Sequence, residues 1–277
     1  MQSPARVRLT VSFGLNKETL HEILKGKYDH LYLLYGDYSD LSKFDIENLS
    51  VKWLQISQCE SQNLGWVARL TELEKFSSTV KLKSDFDFSN FHNLKSFASP
   101  YGKAVEKITR MPLTLDSFGT SSFSGNFAEF APSIKRGLKS MNVTINKHSN
   151  ITGLDGFQNL EELTLSDSSW LEDISSLVRL MNLKVLTLNR CNRINYKGVL
   201  PKLQRLERLF YENKSLESLS IIPSKNLKLL ALGESTKIED GDVESLLEFP
   251  KLDKVSFSKR KNYKYSAVEI NEMLSER

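Results

Sequence analysis

One apolar pattern recurs along most of the chain at a nearly constant spacing. In its clearest form an apolar residue is followed by others three and five positions later, as in Leu183, Leu186 and Leu188. These triplets begin at positions 51, 73, 94, 115, 138, 160, 183, 206, 227 and 252, so successive starts are 21 to 25 residues apart. Because one short unit cannot bury its own apolar face, a repeat of this period predicts a stack of turns that share an interior.

The frame L-x-x-L-x-L-x-x-N/C resembles that of the leucine-rich-repeat family. Its ninth position is filled in full by Cys59, Asn146 and Cys191, with Ser168 and Ser235 as polar substitutes. Turns of mostly 21 to 23 residues are most similar to those of stand-alone bacterial cytosolic members and of phosphatase regulators. The resemblance implies an α/β repeat solenoid: a horseshoe with a concave parallel β-sheet and convex 3₁₀ or short helical segments, capped at both ends.

The expected organisation is a single leucine-rich-repeat domain over residues 1–277. Residues 1–50 are predicted as an N-terminal cap with irregular first turns, residues 51–258 as the repeats, and residues 259–277 as a C-terminal cap helix. Asn16 is expected to cap the first helix, and Ser266 with Glu269 forms a capping-box pattern for the last one. Apolar pairs Leu9/Val11 and Leu31/Leu34 indicate two looser early turns. The frame is poorest over 77–130, where the register is left open.

Composition restricts the classes of function. The net charge of +4 is too small to indicate a nucleic-acid partner by itself. Two cysteines do not form a disulfide framework, and both are interpreted as buried, reduced core residues. The first residues lack an apolar leader segment, and no apolar run reaches membrane-spanning length. We therefore expect a cytoplasmic monomer without a membrane partner.

Patterns that indicate catalysis are missing from the sequence. The histidines lack metal-ligand spacing, and the chain has no phosphate-binding loop and no nucleophile elbow. Cys191 is explained by its place in the repeat rather than as a nucleophile. We therefore predict that the protein is not an enzyme and has no catalytic residue, no cofactor and no metal ion.

Side chains at the second, fourth and sixth positions after each start are expected to face solvent on the strand surface. Three apolar residues break its small polar character, namely Val185, Phe210 and Leu229, and Arg208 and Glu212 flank them. An apolar centre with a charged rim is the arrangement of a protein-binding hot spot. Isolated exposed apolar residues are also normal on surfaces, and a slip in register would turn these inward.

Three further residues belong to the predicted partner-binding set. Asn189 and Glu162 lie on the same strand surface as that centre. Trp53 has the matching offset in its own turn and is a candidate anchor, although we expect the N-terminal cap to cover it.

The leading hypothesis is a non-enzymatic scaffold that binds a macromolecular partner, a protein, on its concave face. The resemblance implies several subtypes: a bacterial toxin-neutralising or immunity-like protein, an effector directed at host cells, or a phosphatase-regulator-like subunit. No residue selects among them.

Two alternatives from other classes remain open. An enzyme could place its site in the irregular 77–130 stretch, which contains Asp85, Asp87, His92, Tyr101 and Asp116. A nucleic-acid binder could use the basic residues Lys184, Arg190, Arg193, Lys202, Arg205 and Arg208, although acidic residues are interleaved with them.

Overall fold

The computed structural model describes residues Val7 to Arg277. These residues form two compact units. The N-terminal unit comprises the described residues up to 121 together with 129–137, and the C-terminal unit comprises 122–128 and 138–277. The change of unit falls at the end of the stretch where the leucine frame is poorest. A single domain over the whole chain stays a prediction.

Parallel strands form the N-terminal unit, and each pairs with the next one along the chain. The strands are β1 Arg8–Ser12, β2 His30–Leu34, β3 Trp53–Ser57, β4 Lys75–Ser78, β5 Ser96–Ala98 and β6 Ser117–Phe123. The helices are α1 Lys17–Leu24, α2 Lys103–Thr109 and α3 Pro132–Gly137, with 3₁₀ turns at Ser39–Lys43 and Gly65–Arg69.

The first two turns are regular, contrary to the sequence-based prediction for residues 1–50. β1 and β2 pair in the same register as the later strands, so that Leu31 lies beside Leu54 and Leu33 beside Ile56. Leu33 rather than Leu34 is the buried partner of Leu31. Strict alternation along β2 leaves only every second side chain on the interior face, which is why a three-residue spacing was wrong here.

Helix α1 begins and ends at the predicted signals. The Asn16 side chain accepts a hydrogen bond from the Thr19 amide, and the Thr19 hydroxyl accepts one from the Asn16 amide, which together make a reciprocal cap. Gly26 follows the helix with a φ of 66°, in the left-handed region that suits glycine. Ile23 is buried beneath the helix.

Phenylalanine replaces leucine in the interior of the poorly matched stretch. Phe76, Phe97 and Phe118 occupy the same position on β4, β5 and β6 and pair directly in register. Phe97 lies 6.0 Å from the Phe76 ring and 6.2 Å from the Phe118 ring, between centroids. The register that the sequence left open over 77–130 therefore continues the frame, with larger side chains in place of leucine.

The C-terminal unit repeats the arrangement with leucine in the interior. Its main strands are β7 Ser140–Ile145, β8 Glu162–Ser166, β9 Val185–Asn189, β10 Arg208–Glu212, β12 Leu229–Leu232 and β14 Lys254–Ser256; β11 Ser215–Leu216 and β13 Lys237–Ile238 form a small second sheet. Short 3₁₀ turns follow the strands at Leu154–Gly156, Ser175–Arg179, Leu200–Lys202, Leu219–Ile221 and Glu244–Glu248. Another 3₁₀ turn spans Phe127–Glu129, and helix α4 spans Ala267–Ser275.

Buried polar side chains connect successive turns of the C-terminal unit. Ser168 accepts a hydrogen bond from the Ile145 amide, and Asn213 accepts one from the Cys191 amide at 2.6 Å. Thr236 accepts one from the Asn213 amide and donates to the Tyr211 carbonyl. These bonds satisfy backbone amide and carbonyl groups at the ends of the strands, which would otherwise be buried without a partner.

The polar positions only partly match the predicted ninth position. Cys191 and Ser168 are fully buried there, as expected. Thr236 takes the place predicted for Ser235, because a one-residue shift at the strand end turns Ser235 outward. Asn146 and Cys59 are only half-buried, so Cys59 is not the core residue that was predicted.

We expect Asn213→Leu to destabilise the protein by about 1–3 kcal/mol. The leucine leaves the Cys191 amide and the Leu188 carbonyl buried without their partners. Urea unfolding followed by circular dichroism measures the effect. Asn192→Leu is the control, because the exposed Asn192 side chain accepts from the Lys214 amide where water can replace it. Equal losses in the two variants would contradict the role given to burial.

A ladder of alternating charge runs along the edge where the strands begin, one residue after each triplet start. In the N-terminal unit the series is Asp29, Lys52, Glu74, Lys95 and Asp116, and in the C-terminal unit it is Lys139, Glu161, Lys184, Glu207, Lys228 and Asp253. Lys184 contacts Glu161 at 2.7 Å, and Lys228 contacts Glu207 at 2.8 Å. Opposite charges on neighbouring strands favour the native stacking register over a slip of one turn.

Helix α4 covers the last strand. Ser266 and Glu269 form the predicted capping box. The Asn271 side chain accepts a hydrogen bond from the Val255 amide and donates one to its carbonyl, so it takes the place of a further strand beside β14. The otherwise open sheet edge is thereby paired within the chain.

Candidate partner-binding surface

The outward side chains of the C-terminal unit fall into rows that cross the strands. The register places one row along Ser140, Glu162, Val185, Arg208, Leu229 and Lys254. The next row runs along Asn142, Thr164, Thr187, Phe210, Ala231 and Ser256. Strand alternation makes every member of a row face the same side, because the interior is filled by the intervening leucines.

Arg208 separates the two aliphatic residues of the predicted centre. It lies directly between Val185 and Leu229 in the first row, whereas the sequence placed it at the rim. Its guanidinium extends across the strand of Val185 to within 3.9 Å of the Glu162 carboxylate. Both charged side chains are about half exposed, so their attraction is screened and contributes at most about 1 kcal/mol. Arg208 is therefore available to a partner.

Phe210 is the large apolar side chain that is partly exposed on this surface. It is 36% exposed and lies between Thr187 and Ala231, whose short side chains leave part of its ring exposed. Beneath the strand, the neighbouring Leu209 and Tyr211 are buried. Burial raises the pKa of the Tyr211 hydroxyl, which donates to the Ser215 carbonyl. The rigid strand therefore fixes the position of the Phe210 ring.

Glu212 and Asn189 occupy a third row, paired directly in register. The Glu212 stem packs over Gly233, where an added Cβ would lie only 2.3 Å from the Glu212 Cγ. Gly233 is thus required for Glu212 to lie across the sheet. The Asn189 Oδ1 is buried and has no hydrogen-bond partner within the described chain, although the residue as a whole is half-exposed.

Trp53 lies in the N-terminal unit and is half-buried. The sequence-based expectation was that the N-terminal cap covers it. Its neighbours are strand residues: the His30 ring meets its edge at 4.5 Å, and the Lys75 Nζ lies 4.9 Å above its ring. It also lines a groove with Arg8, His30 and Tyr32, which belong to the first two strands, and cover by the remainder of the N-terminal cap stays a prediction. The groove residues Arg8, His30 and Tyr32 were missed, because extending the frame to starts at positions 6 and 28 was needed to place them on the strand face.

The residues named for the enzyme alternative either make local structural contacts or are exposed. Asp87 accepts hydrogen bonds from the Ser89 amide and hydroxyl, which lower the pKa of its carboxyl. Burial raises the pKa of Tyr101. Asp85, His92 and Asp116 are exposed. Over residues 7–277 no cluster of three or more His, Cys, Asp or Glu side chains is placed to hold a metal ion.

Most basic residues of the nucleic-acid alternative have acidic partners. Lys184 pairs with Glu161, and this hydrogen bond raises the pKa of Lys184 and lowers that of Glu161. The remaining ion pairs are Arg190 with Asp167, Arg193 with Glu172, and Arg208 with Glu162. Cations that are neutralised in this way release fewer counterions from a phosphate backbone, which weakens that alternative.

None of the helices in the described part of the chain has the length and apolar composition needed to cross a bilayer. No protein-family profile matches the sequence, and no curated protein does either.

Similarity to solved structures is confined to the fold. The crystal structure of an internalin from Listeria monocytogenes aligns with a TM-score of 0.55 at 19% identity, covering 88% of this chain and 78% of the internalin chain. A leucine-rich-repeat protein from Leptospira interrogans aligns over 90% of this chain and 89% of its own, at 14% identity, but its TM-score of 0.35 is too low to carry an argument. The parallel strands, the 3₁₀ turns and the internalin alignment together show that this chain has the leucine-rich-repeat solenoid fold.

Proposed function

We propose that the protein is a non-enzymatic scaffold that binds a protein partner on the strand face of its C-terminal unit. The observation that carries the proposal is the exposed ring of Phe210, held on a rigid strand between Thr187 and Ala231. Binding hot spots are enriched in aromatic and arginine side chains, and Arg208 lies on the same strand two residues away. A partner that covers Phe210 removes an apolar ring from water, which favours association.

The surrounding residues supply polarity and shape for such a contact. Val185 and Leu229 on either side of Arg208 add partly exposed aliphatic surface. Glu162 and Glu212 contribute carboxylates at two sides, and the half-exposed Asn189 adds a polar side chain. Small side chains elsewhere in the rows lose little conformational entropy when they are covered. The combination supports recognition of a folded protein surface.

The partner subtype stays a prediction. A toxin-neutralising or immunity-like protein, a host-directed effector and a phosphatase-regulator-like subunit all use the same kind of surface, and no residue of this chain selects one of them. Cytoplasmic location and a monomeric state also stay predictions.

The proposal predicts that Phe210→Ser combined with Arg208→Ala abolishes partner binding in a folded protein. We expect the affinity for a partner captured from native lysate and identified by mass spectrometry to fall by at least about a hundredfold, because two hot-spot residues are removed together. Titration calorimetry with the purified partner measures the loss, and circular dichroism checks the fold.

The matched control removes another aromatic–arginine pair, Trp170→Ser with Arg193→Ala. Trp170 is 57% exposed, and the Arg193 guanidinium lies 5.7 Å from its ring, outside the strands. This variant should bind normally. Full affinity in the folded Phe210/Arg208 variant would remove the proposed site.

A further inference from the structure

A groove of about 230 Å³ opens on the strand face of the N-terminal unit. It is lined by Arg8, His30, Leu31, Tyr32, Trp53 and Gln55. Arg8, His30, Trp53 and Lys75 follow one another in a single row across β1 to β4. This row contains three basic side-chain types and an indole, and it contains no acidic residue.

Two strong cations, Arg8 in the groove and Lys75 beside it, lie over aromatic rings instead of beside carboxylates. The Arg8 guanidinium carbon is 4.7 Å from the Tyr32 ring centroid, and the Lys75 Nζ is 4.9 Å from the Trp53 centroid. Neither cation forms an ion pair with any of residues 7–277. A ring orients and attracts a cation through its quadrupole, but it does not neutralise the charge. The groove and its border at Trp53 therefore present two positive charges, those of Arg8 and Lys75.

The corresponding row of the C-terminal unit is different. There Arg208 reaches the carboxylate of Glu162 in the same row, so its charge is partly balanced. The contrast arises from residue choice at equivalent strand positions, since both rows occupy the first outward position of their strands. The positive potential of the N-terminal groove is therefore specific to it and calls for an anionic partner.

Hydrogen bonding in the groove favours an acceptor-only group such as a carboxylate. The Gln55 amide donates to the Tyr32 hydroxyl oxygen at 2.9 Å and to the Ser57 hydroxyl at 3.1 Å. Because that oxygen accepts from Gln55, the Tyr32 hydroxyl proton is directed to another acceptor. An ionised carboxylate has acceptor oxygens only, so it can accept from both Tyr32 and the Arg8 guanidinium.

The separation of the two aromatic residues that carry the cations is close to the distance between alternate residues of an extended peptide. Tyr32 lies on β2 and Trp53 on the neighbouring β3, one outward position apart along the strands. With strands about 4.8 Å apart and about 6.6 Å between outward positions, the backbones of Tyr32 and Trp53, whose rings carry the two cations, are on the order of 8 Å apart. Side chains two residues apart on one face of an extended peptide are about 7 Å apart. Acidic residues at positions i and i+2 therefore fit.

An apolar ring pair beside the groove favours a partner with an apolar group over a free anion. Phe13 and Tyr35 stack at 5.6 Å just beyond the ends of β1 and β2, and both have left-handed φ values, 65° and 50°. Phe13 is 82% exposed and has no hydrogen-bonding group, so an apolar side chain is its natural contact. Tyr35 follows Tyr32 by three residues, on the order of 10 Å along the chain.

We propose that this groove binds an acidic, extended segment of a protein partner, with two carboxylates at alternate residues seated at Arg8 and Lys75 and an apolar flank against Phe13 and Tyr35. The inference goes beyond the surface around Phe210, because it assigns a second recognition site to the other unit of the chain and states the chemistry of its ligand.

The test uses a fluorescein-labelled eight-residue peptide with a central Glu-Leu-Glu, measured by fluorescence anisotropy on the full chain. We expect saturable binding that weakens with salt. Peptides carrying Gln-Leu-Gln, or the same residues as Leu-Glu-Glu, should bind at least about fivefold more weakly, because they lack the charges or their spacing. Failure of the Glu-Leu-Glu peptide to bind the wild-type chain would overturn the proposal.

Variants locate the binding. Arg8→Gln with Lys75→Gln should raise the Kd about tenfold. Lys225→Gln with Lys254→Gln removes the same charge from exposed positions of the C-terminal unit and should leave the Kd within about twofold. Equal losses in both double variants would show non-specific attraction and overturn the assignment. So would tighter, Arg8- and Lys75-dependent binding of a single-stranded oligonucleotide. These readouts do not depend on the outcome at Phe210.

Discussion

Leu186→Asp is expected to abolish cooperative folding of the C-terminal unit. Leu186 is fully buried at the centre of β9 and pairs in register with Leu163 and Leu209. An aspartate there either carries an unpaired charge in a dry interior or binds a proton at the expense of stability, and its short side chain leaves a cavity. We expect a loss of about 4 kcal/mol or more. Urea unfolding monitored by far-ultraviolet circular dichroism measures it.

The control is the same substitution at the next residue. Thr187 is half-exposed and faces the opposite side of β9, so Thr187→Asp should change the free energy of unfolding by less than about 1 kcal/mol. The pair tests the register directly, because a slip of one residue exchanges the two faces. Unchanged unfolding of Leu186→Asp, or a larger loss at Thr187, would contradict the assigned frame.

Phe97→Ala is expected to cost about 3–5 kcal/mol in the N-terminal unit. The Phe97 ring is fully buried and has three aromatic neighbours, with centroids 6.0 Å away at Phe76 and Phe88 and 6.2 Å away at Phe118. Truncation leaves a cavity that these large, closely packed rings can fill only in part, and it removes edge-to-face and stacked contacts.

The same substitution at an exposed ring separates burial from residue type. Phe13→Ala in the same unit should lower the free energy of unfolding by less than about 1 kcal/mol, because the Phe13 ring is already mostly in water and stacks on Tyr35 alone. Similar losses in the two variants, measured by urea unfolding, would mean that the phenylalanine stack does not form the core of this unit.

The strength of the leucine frame explains how much of the fold the sequence predicted. Residues at the start, third or fifth following position are buried in most turns, whether the residue is Leu163, Phe97 or Ser99, because the position in the strand determines which way the side chain points. Phe257 in the last turn is only half-buried. Over 77–130, where individual turns match poorly, the sequence left the register open, and the pairing of the strands in the structure shows that the frame continues there. The charge ladder that includes Glu161, Lys184 and Glu207 is also visible in the sequence, because the sign of the charge alternates from one turn to the next. It was missed because the alternation repeats every two turns rather than every turn.

Local sequence thus determined the period, the buried face of each strand and the caps at Asn16 and Ser266, since each depends on residues near one another in the chain. Only the tertiary structure determined which side chains are neighbours on adjacent strands. The register inserted Arg208 between Val185 and Leu229, and it assembled Arg8, Tyr32 and Trp53 into a groove with Lys75 beside it. Such neighbours are more than twenty residues apart, and hydrogen bonding between strands fixes their lateral order only when the turns stack.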